Sequence, residues 1–244
     1  MPGRAYQRVL LKISGEGFCK HGHFGVDPEA VRTLARQIQE AAETGCQLAV
    51  VVGAGNFLRG ALFSKEANVT RATADYMGMV ATVLNGLALQ DGLESLGLDT
   101  RLQSAIEMQD VAEPFIRRRC IRHLEKGRVV ILCAGTGNPF FTTDTSAALR
   151  ASEIEAGALL KATKVDGVYS ADPETHPDAQ RYDSLDYDDV IRQDLKIIDV
   201  AAISLCKDNG IPIIVFNLWR DGSVRKVVAG EPIGTRIGRP HRAR

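Results

Sequence analysis

Apolar positions along the chain follow two alternating patterns. Short runs at residues 9–13, 48–52, 100–105, 128–134, 158–163 and 211–216 are rich in β-branched residues, and several are apolar almost throughout. A strand with one wet face alternates apolar and polar residues. A run without that alternation marks a strand buried on both faces, as in a mostly parallel sheet covered by helices. Longer stretches with helical spacing fill the gaps. Asp27 can cap free N–H groups and Pro28 is preorganised for a first turn. Val31, Leu34, Ala35 and Ile38 then form an apolar stripe, and Gly45 ends it. Further helices are predicted over 73–96 and 114–126, from Thr143-Asp144 onward, and from Asp199 to just before Gly210. The alternation predicts a doubly wound α/β fold. Residues 165–189 break the rhythm with Gly167, Pro173, Pro177 and many Asp and Tyr residues, and read as a short hairpin and loops before another helix.

Composition narrows the class without changing this outline. The 244 residues are 45% hydrophobic and 25% charged, the balance of an ordinary globular protein. Lys plus Arg is 30 and Asp plus Glu is 30, so the net charge of zero asks for neither nucleic acid nor a membrane surface. The five cysteines, Cys19, Cys46, Cys120, Cys133 and Cys206, are odd in number and widely spaced, against a disulfide framework or a zinc site. Val9-Leu10-Leu11 is cut off by Lys12, too short for a signal peptide, and run 129–134 is far below the ~18 residues of a membrane helix. A cytoplasmic protein is expected.

In sheets of this kind ligands sit beyond the carboxyl ends of the strands. Three predicted strands end in small-residue loops. These are Lys12-Ile13-Ser14-Gly15-Glu16-Gly17, then Gly53-Ala54-Gly55-Asn56 with Arg59-Gly60 behind it, and Gly135-Thr136-Gly137-Asn138-Pro139-Phe140-Phe141-Thr142-Thr143-Asp144. Glycine admits close backbone approach, and helix-start N–H groups favour anions. With Lys12 and Arg59 beside them, the three loops point to a polyphosphate. No Gly-x-x-x-x-Gly-Lys-[Ser/Thr] occurs, which excludes a P-loop, and Leu58 stands where a dinucleotide fingerprint after Gly53 wants its third glycine.

The order Lys12, Gly53-Ala54-Gly55-Asn56, Asp144, Lys164-x-Asp166-Gly167-Val168-Tyr169 and Asp172-Pro173 resembles the amino acid kinase fold family. Members transfer the ATP γ-phosphoryl group to carboxylate, carbamate or phosphate acceptors. Within it, Leu11-Lys12-Ile13-Ser14-Gly15-Glu16, Asp75-Tyr76-Met77-Gly78-Met79, the loop 134–144 and Lys161-Ala162-Thr163-Lys164-Val165-Asp166-Gly167-Val168-Tyr169 are similar to bacterial-type UMP kinases over about residues 8–238. The resemblance implies one domain over 8–238, with a short extension at 1–7 and a basic tail at 239–244. It implies a three-layer α/β/α sandwich around a central, mainly parallel sheet, and a reaction making UDP and ADP from UMP and ATP in pyrimidine nucleotide biosynthesis. Lys12, Arg59 and Asp144 are then the expected catalytic residues. Lys12, Ile13, Ser14 and Gly15 face the ATP phosphates, assisted by Gly55 and Arg59, while Thr163, Tyr169 and Asp172 hold adenine and ribose. Ala54, Asp75, Thr136, Gly137, Asn138, Pro139, Phe140, Phe141, Thr142 and Thr143 contact UMP. Lys20, His21, Gly22, His23, Phe24 and Gly25 match a stretch tied to activation by GTP, with UTP as the expected inhibitor. Mg²⁺ travels with ATP, no metal-ligand set is expected on the protein, and the family's hexamers imply a homohexamer. Ala54 replaces a common glycine, so its methyl narrows the approach of the acceptor phosphate.

Simpler readings stand beside these. By itself Lys12 is a solvated strand-end charge. Asp144 is an N-cap as well as a site residue, and Asp199 is an N-cap first. His21-Gly22-His23 reads as a solvated loop rather than a metal site. Arg117, Arg118, Arg119, Arg122 and Lys126 form a solvated basic face. Met77, Met79, Val80, Val83 and Leu84 pack against the core or another subunit. Two rival functions stay open: phosphorylation of an amino-acid carboxylate, and nucleotide sensing without catalysis.

Overall fold

The computed structural model describes residues 4–20, 22–58, 68–173 and 175–239. Among them nine strands form one sheet: β1 Arg8–Ile13, β2 Gln47–Val52, β3 Thr100–Ser104, β4 Glu113–Pro114, β5 Val129–Cys133, β6 Ala158–Thr163, β7 Ser184–Leu185, β8 Ile213–Asn217 and β9 Thr235–Ile237. Their order is β4-β3-β5-β2-β1-β6-β8-β9-β7. All neighbours pair parallel except β8 and β9. The described helices are α1 Pro28–Ala42, α2 Arg71–Glu94, α3 Arg117–Glu125, α4 Thr143–Glu153, α5 Tyr187–Arg192, α6 Val200–Asn209 and α7 Ser223–Ala229.

The largely apolar strands do what their composition requires: successive side chains enter cores on opposite faces. Val9, Leu11 and Ile13 of β1 join one core with Leu34 and Ile38 of α1, Leu89 and Leu93 of α2 and Val224 of α7. Leu10 joins the other, with Leu124 of α3, Ala147 and Ala151 of α4, Tyr187 of α5 and Ile203 of α6. The layers are therefore helix, sheet, helix. Asp27 caps α1 through the N–H groups of Glu29 and Ala30, both at 3.0 Å, with Pro28 in the first turn, as its sequence predicts.

The predicted strands are present with ends moved by one or two residues, and the hairpin after β6 closes through a Tyr169–Arg181 bridge. The helix predicted from residue 114 begins instead at Arg117, because Glu113 and Pro114 pair with Gln103 and Ser104 as an edge strand. The second helix begins at Arg71, where Thr70 accepts the Thr73 N–H. Short β4, β7 and β9 and the seven-residue α7 offer too little periodicity to be read from sequence. Along α2, Met79 and Val83 are buried, whereas Met77, Val80, Leu84 and Leu87 form an exposed apolar stripe. On α3, Arg117, Arg118, Arg119 and Arg122 face solvent over buried Cys120 and Leu124, as the solvated-face reading has it.

The chain leaves β1 toward β2 on one side, while β6, on the other side of β1, leads on to β8. Connections diverging from adjacent parallel strands open a crevice beyond their carboxyl ends. Two glycine loops close its floor. A Cβ on Gly15 would lie 2.2 Å from Gly55 N and 2.6 Å from the Ala54 carbonyl carbon, and one on Gly53 would lie 2.9 Å from Gly15 N. The loops meet backbone to backbone, a contact that only glycine admits. Gly15→Ala is expected to cost about 1–3 kcal/mol through overpacking against backbone that cannot yield. A lowered denaturation midpoint, with greater loss of nucleotide affinity than of stability, is the expected result.

Candidate active site

At the crevice, strand register sets Lys12 of β1 directly beside Lys161 of β6. Both lysines are 8% exposed. Two buried ammonium groups on neighbouring strands repel and lose hydration, so they need an anion. Asp144, in the first turn of α4, supplies it. One carboxylate oxygen lies 2.9 Å from Lys12 Nζ, and the other accepts a hydrogen bond from Lys161 Nζ. Burial alone would raise the Asp144 pKa, but Lys12 and Lys161 outweigh it and hold the carboxyl below the ordinary range. For Lys161 burial dominates: its pKa is lowered, with Asp144 opposing and Lys12 adding to the decrease. One carboxylate between two ammonium groups leaves an excess positive charge at the cavity.

Asp144 is not the cap of its helix. Thr142, in extended conformation, takes that role, its hydroxyl accepting the N–H groups of Asp144 at 3.1 Å and Thr145 at 3.2 Å. The Asp144 side chain is thereby free to turn to the lysines. Asp199 does cap α6, through the Ala202 N–H at 2.7 Å, and it also accepts hydrogen bonds from the Thr142 and Thr145 hydroxyls. The starts of α4 and α6 are thus tied together, and Asp199 adds its charge to the field at Lys161.

The loop at 134–143 is held from α2. Ala134 and Phe140 adopt left-handed φ values of 60° and 72°, unusual for residues with a Cβ. The N–H of each is fixed by an α2 side chain: Ala134 donates to Thr82 Oγ1 at 2.7 Å and Phe140 donates to Asp75 Oδ2 at 2.8 Å. Arg71 Nε reaches both Asp75 oxygens at 2.8 and 2.9 Å. Asp75 and the loop, 65 residues apart in sequence, are therefore one unit, and Phe140 and Phe141 project from it 68% and 55% exposed. Thr136 and Asn138 brace the loop internally. Asn85, also on α2, exchanges two hydrogen bonds with Asn56 at 2.8 and 2.9 Å and donates to the Gly53 carbonyl at 2.7 Å, which fixes the loop after β2.

A cavity of about 1260 Å³ extends from the two lysines. Of the residues expected beside ATP, Ile13, Ser14, Gly55 and Thr163 line it, as does Lys12. Ala54 is buried and, like Gly15, is not among the lining residues. Tyr169 and Asp172 lie on the hairpin after β6 and are not among the lining residues. Lys20, Gly22, His23 and Phe24 line this same cavity rather than a separate one, and Gly25 is pinned to Asn56: its carbonyl accepts from the Asn56 side-chain amide at 2.7 Å and its N–H donates to the Asn56 carbonyl at 2.9 Å. Arg59, Gly60 and His21 lie outside the described residues. Among the described residues no three His, Cys, Asp or Glu side chains converge as a metal site, and no helix is long and apolar enough to cross a membrane. Sequence reading gave no role to Lys161, Arg71, Thr82 or Asn85. Lys161 carried a usable signal, since it interrupts an apolar parallel strand just as Lys12 does.

The amino acid kinase family model matches residues 7–217. The chain belongs to the amino acid kinase family. Among solved structures of this family, the UMP kinase from Bacillus anthracis superposes with a TM-score of 0.93 at 36% identity, covering 96% of this chain and 97% of that one. The UMP kinase from Ureaplasma parvum gives 0.89 at 35% identity, covering 95% and 98%. The uridylate kinase from Archaeoglobus fulgidus gives 0.73 at 28% identity, covering 94% and 99%. The three-layer fold with a mainly parallel sheet is the one these enzymes share.

The charge cluster has a pH signature. A carboxyl with a folded pKa below its unfolded value, ordinarily about 3.9, stabilises the fold above that range, and the contribution is lost as pH falls through the lower folded value. Asp144→Asn should remove this acid-side loss. At neutral pH it should cost about 3–5 kcal/mol, because two buried ammonium groups lose their counter-ion. Melting temperatures across pH 2–8 check both, and added tripolyphosphate should restore much of the neutral-pH loss.

Proposed function

We propose that this chain is a UMP kinase that transfers the γ-phosphoryl group of MgATP to UMP, yielding UDP and ADP. The observation that carries the reading is the meeting of two half-sites at one charge cluster. The Lys12–Lys161–Asp144 group faces a nucleotide-sized cavity on one side, and α4, which bears Asp144, is the direct continuation of the Asp75-anchored loop on the other.

Phosphoryl transfer needs little covalent help from a protein. It needs in-line positioning and neutralisation of charge on the transferring group and the leaving oxygen. A UMP phosphate oxygen, ionised at neutral pH, attacks the γ-phosphorus, and the bond to the β,γ-bridging oxygen breaks to release ADP. No general base is required. Lys12 and Lys161 stay with the migrating charge, and Asp144 holds them at fixed separation so that neither must reorganise. Backbone N–H groups of the loops after β1 and β2 add donors. Mg²⁺ enters as part of the ATP substrate, with phosphate oxygens as its natural ligands. Asp75 accepts ribose hydroxyl hydrogen bonds while keeping its grip on Phe140, and the loop 136–143 encloses uracil and phosphate.

The same reading places the enzyme in the cytoplasm, in pyrimidine nucleotide biosynthesis. The exposed apolar stripe of Met77, Val80, Leu84 and Leu87 on α2 supports assembly with further copies, a homohexamer by family likeness. GTP is the proposed activator, with Lys20, Gly22, His23 and Phe24 as contributors, and UTP the proposed inhibitor through the uracil loop. Because those four residues share the cavity of Lys12, GTP held there would neighbour the donor nucleotide.

ADP release measured across UMP, CMP, dUMP, AMP, glutamate, acetylglutamate and aspartate tests the assignment; turnover on a carboxylate in place of UMP would overturn it. Lys12→Ala should fold and lose a hundredfold or more in turnover, corresponding to about 3 kcal/mol for one preorganised donor. Asp75→Asn should raise the UMP KM more than the ATP KM, by the roughly 1.5–3 kcal/mol of hydrogen bonds to a charged group. Equilibrium binding of GTP with and without UTP should show reciprocal coupling of about 1–3 kcal/mol. GTP displaced only by ATP would end the regulatory part.

A further inference from the structure

Trp219 is the single tryptophan of the chain. It stands on the turn after β8, 47% exposed, in the wall of the cavity that holds Lys12 and Lys161, with Leu218, Thr163, Lys164 and Val165 as neighbours on that wall. An isolated exposed aromatic needs no explanation. This one sits on backbone fixed from several directions. The Trp219 N–H donates to Asn217 Oδ1 at 2.9 Å. The carbonyls on either side, of Leu218 and Arg220, both accept from the amide of buried Gln37 at 2.9 and 3.0 Å. Arg220 grips both oxygens of Asp166 at 3.0 and 2.7 Å, and Asn217 reaches the same carboxylate at 2.9 Å. Six polar contacts hold a large, partly open aromatic at a set place beside a cationic centre.

Strand register gives its position relative to that centre. Asn217 pairs with Thr163, which is two residues beyond Lys161. One strand across and two residues along is about 8 Å by ordinary sheet spacing. Trp219 follows two residues later, on the turn past the end of β8 and in the wall of the same cavity. A nucleotide with its phosphates on the lysines carries its base away from them, toward that wall of the cavity.

We propose that the Trp219 indole is the face on which the base of the phosphate-donor nucleotide stacks. The proposal rests on the reading of this cavity as the donor site and adds a residue outside the expected adenine set of Thr163, Tyr169 and Asp172. Stacking on an indole suits a purine because it is sequence-tolerant, apolar and requires no titration.

The lone tryptophan makes the test direct. Its emission should change on addition of ADP and stay unchanged with tripolyphosphate, which fills the phosphate positions without a base. Trp219→Ala should weaken ADP about tenfold in calorimetry and leave tripolyphosphate unaffected, as expected for one base–aromatic stack. Trp219→Phe should recover most of the ADP affinity. Unchanged ADP affinity in Trp219→Ala, or equal weakening of ADP and tripolyphosphate, overturns the proposal while leaving the donor site intact. If Lys12→Ala weakens neither ligand, the donor-site reading falls and the proposal with it. Silent emission on saturation of the wild-type protein with ADP also overturns it, and that titration requires no variant to fold.

Discussion

Two ammonium groups placed in register on adjacent parallel strands cannot stay buried without a shared anion, and this constraint organises the molecule around its crevice. Lys12 and Lys161 are set side by side by the pairing of β1 and β6, so their separation is a property of the sheet and not of flexible side chains alone. Asp144 answers them from a third element, and its place depends on Thr142 capping α4 two residues earlier. The desolvation of three charges is offset only when all three are present, so each depends on the other two. The excess positive charge is suited to a polyanion, which would complete the neutralisation that Asp144 begins.

Helix α2 gives the second level of organisation. Asp75, Thr82 and Asn85 project over about three turns and hold both the loop at 134–143 and the loop after β2. A single rigid element therefore sets the relative position of the two halves of the crevice. Where chemistry depends on positioning, such shared support matters alongside the groups that would touch a ligand.

Much of this was legible in the sequence. Residues 9–13 and 158–163 announced doubly buried strands because apolar residues occupy both faces of each, with Lys12 and Lys161 as the charged interruptions, and Asp27-Pro28 announced a helix start by local chemistry alone. Lys12, Asp144 and the glycine loops were legible because strand ends in such sheets are where ligands sit. Lys161 visibly interrupts an apolar strand, but its pairing with Lys12 arises only from strand register across 149 positions of chain. The Asp75–Phe140 bond and the Asn56–Asn85 exchange are likewise long-range geometry with no local signal. The capping role given to Asp144 failed for a simpler reason: Thr142 is also a good cap, and only the extended backbone at Thr142 decides between them.

The left-handed conformations at Ala134 and Phe140 bear on the thermodynamics of any ligand that enters the loop they belong to. Each costs of order 1 kcal/mol and persists because a side chain of α2 holds its amide. The loop therefore loses its conformational freedom when the chain folds, before any ligand arrives. A ligand entering it would meet a surface already ordered, so its association would carry little of the entropy penalty that a floppy loop imposes at that moment. The unusual backbone moves the cost of order from binding to folding, where the cores on both faces of the sheet can offset it.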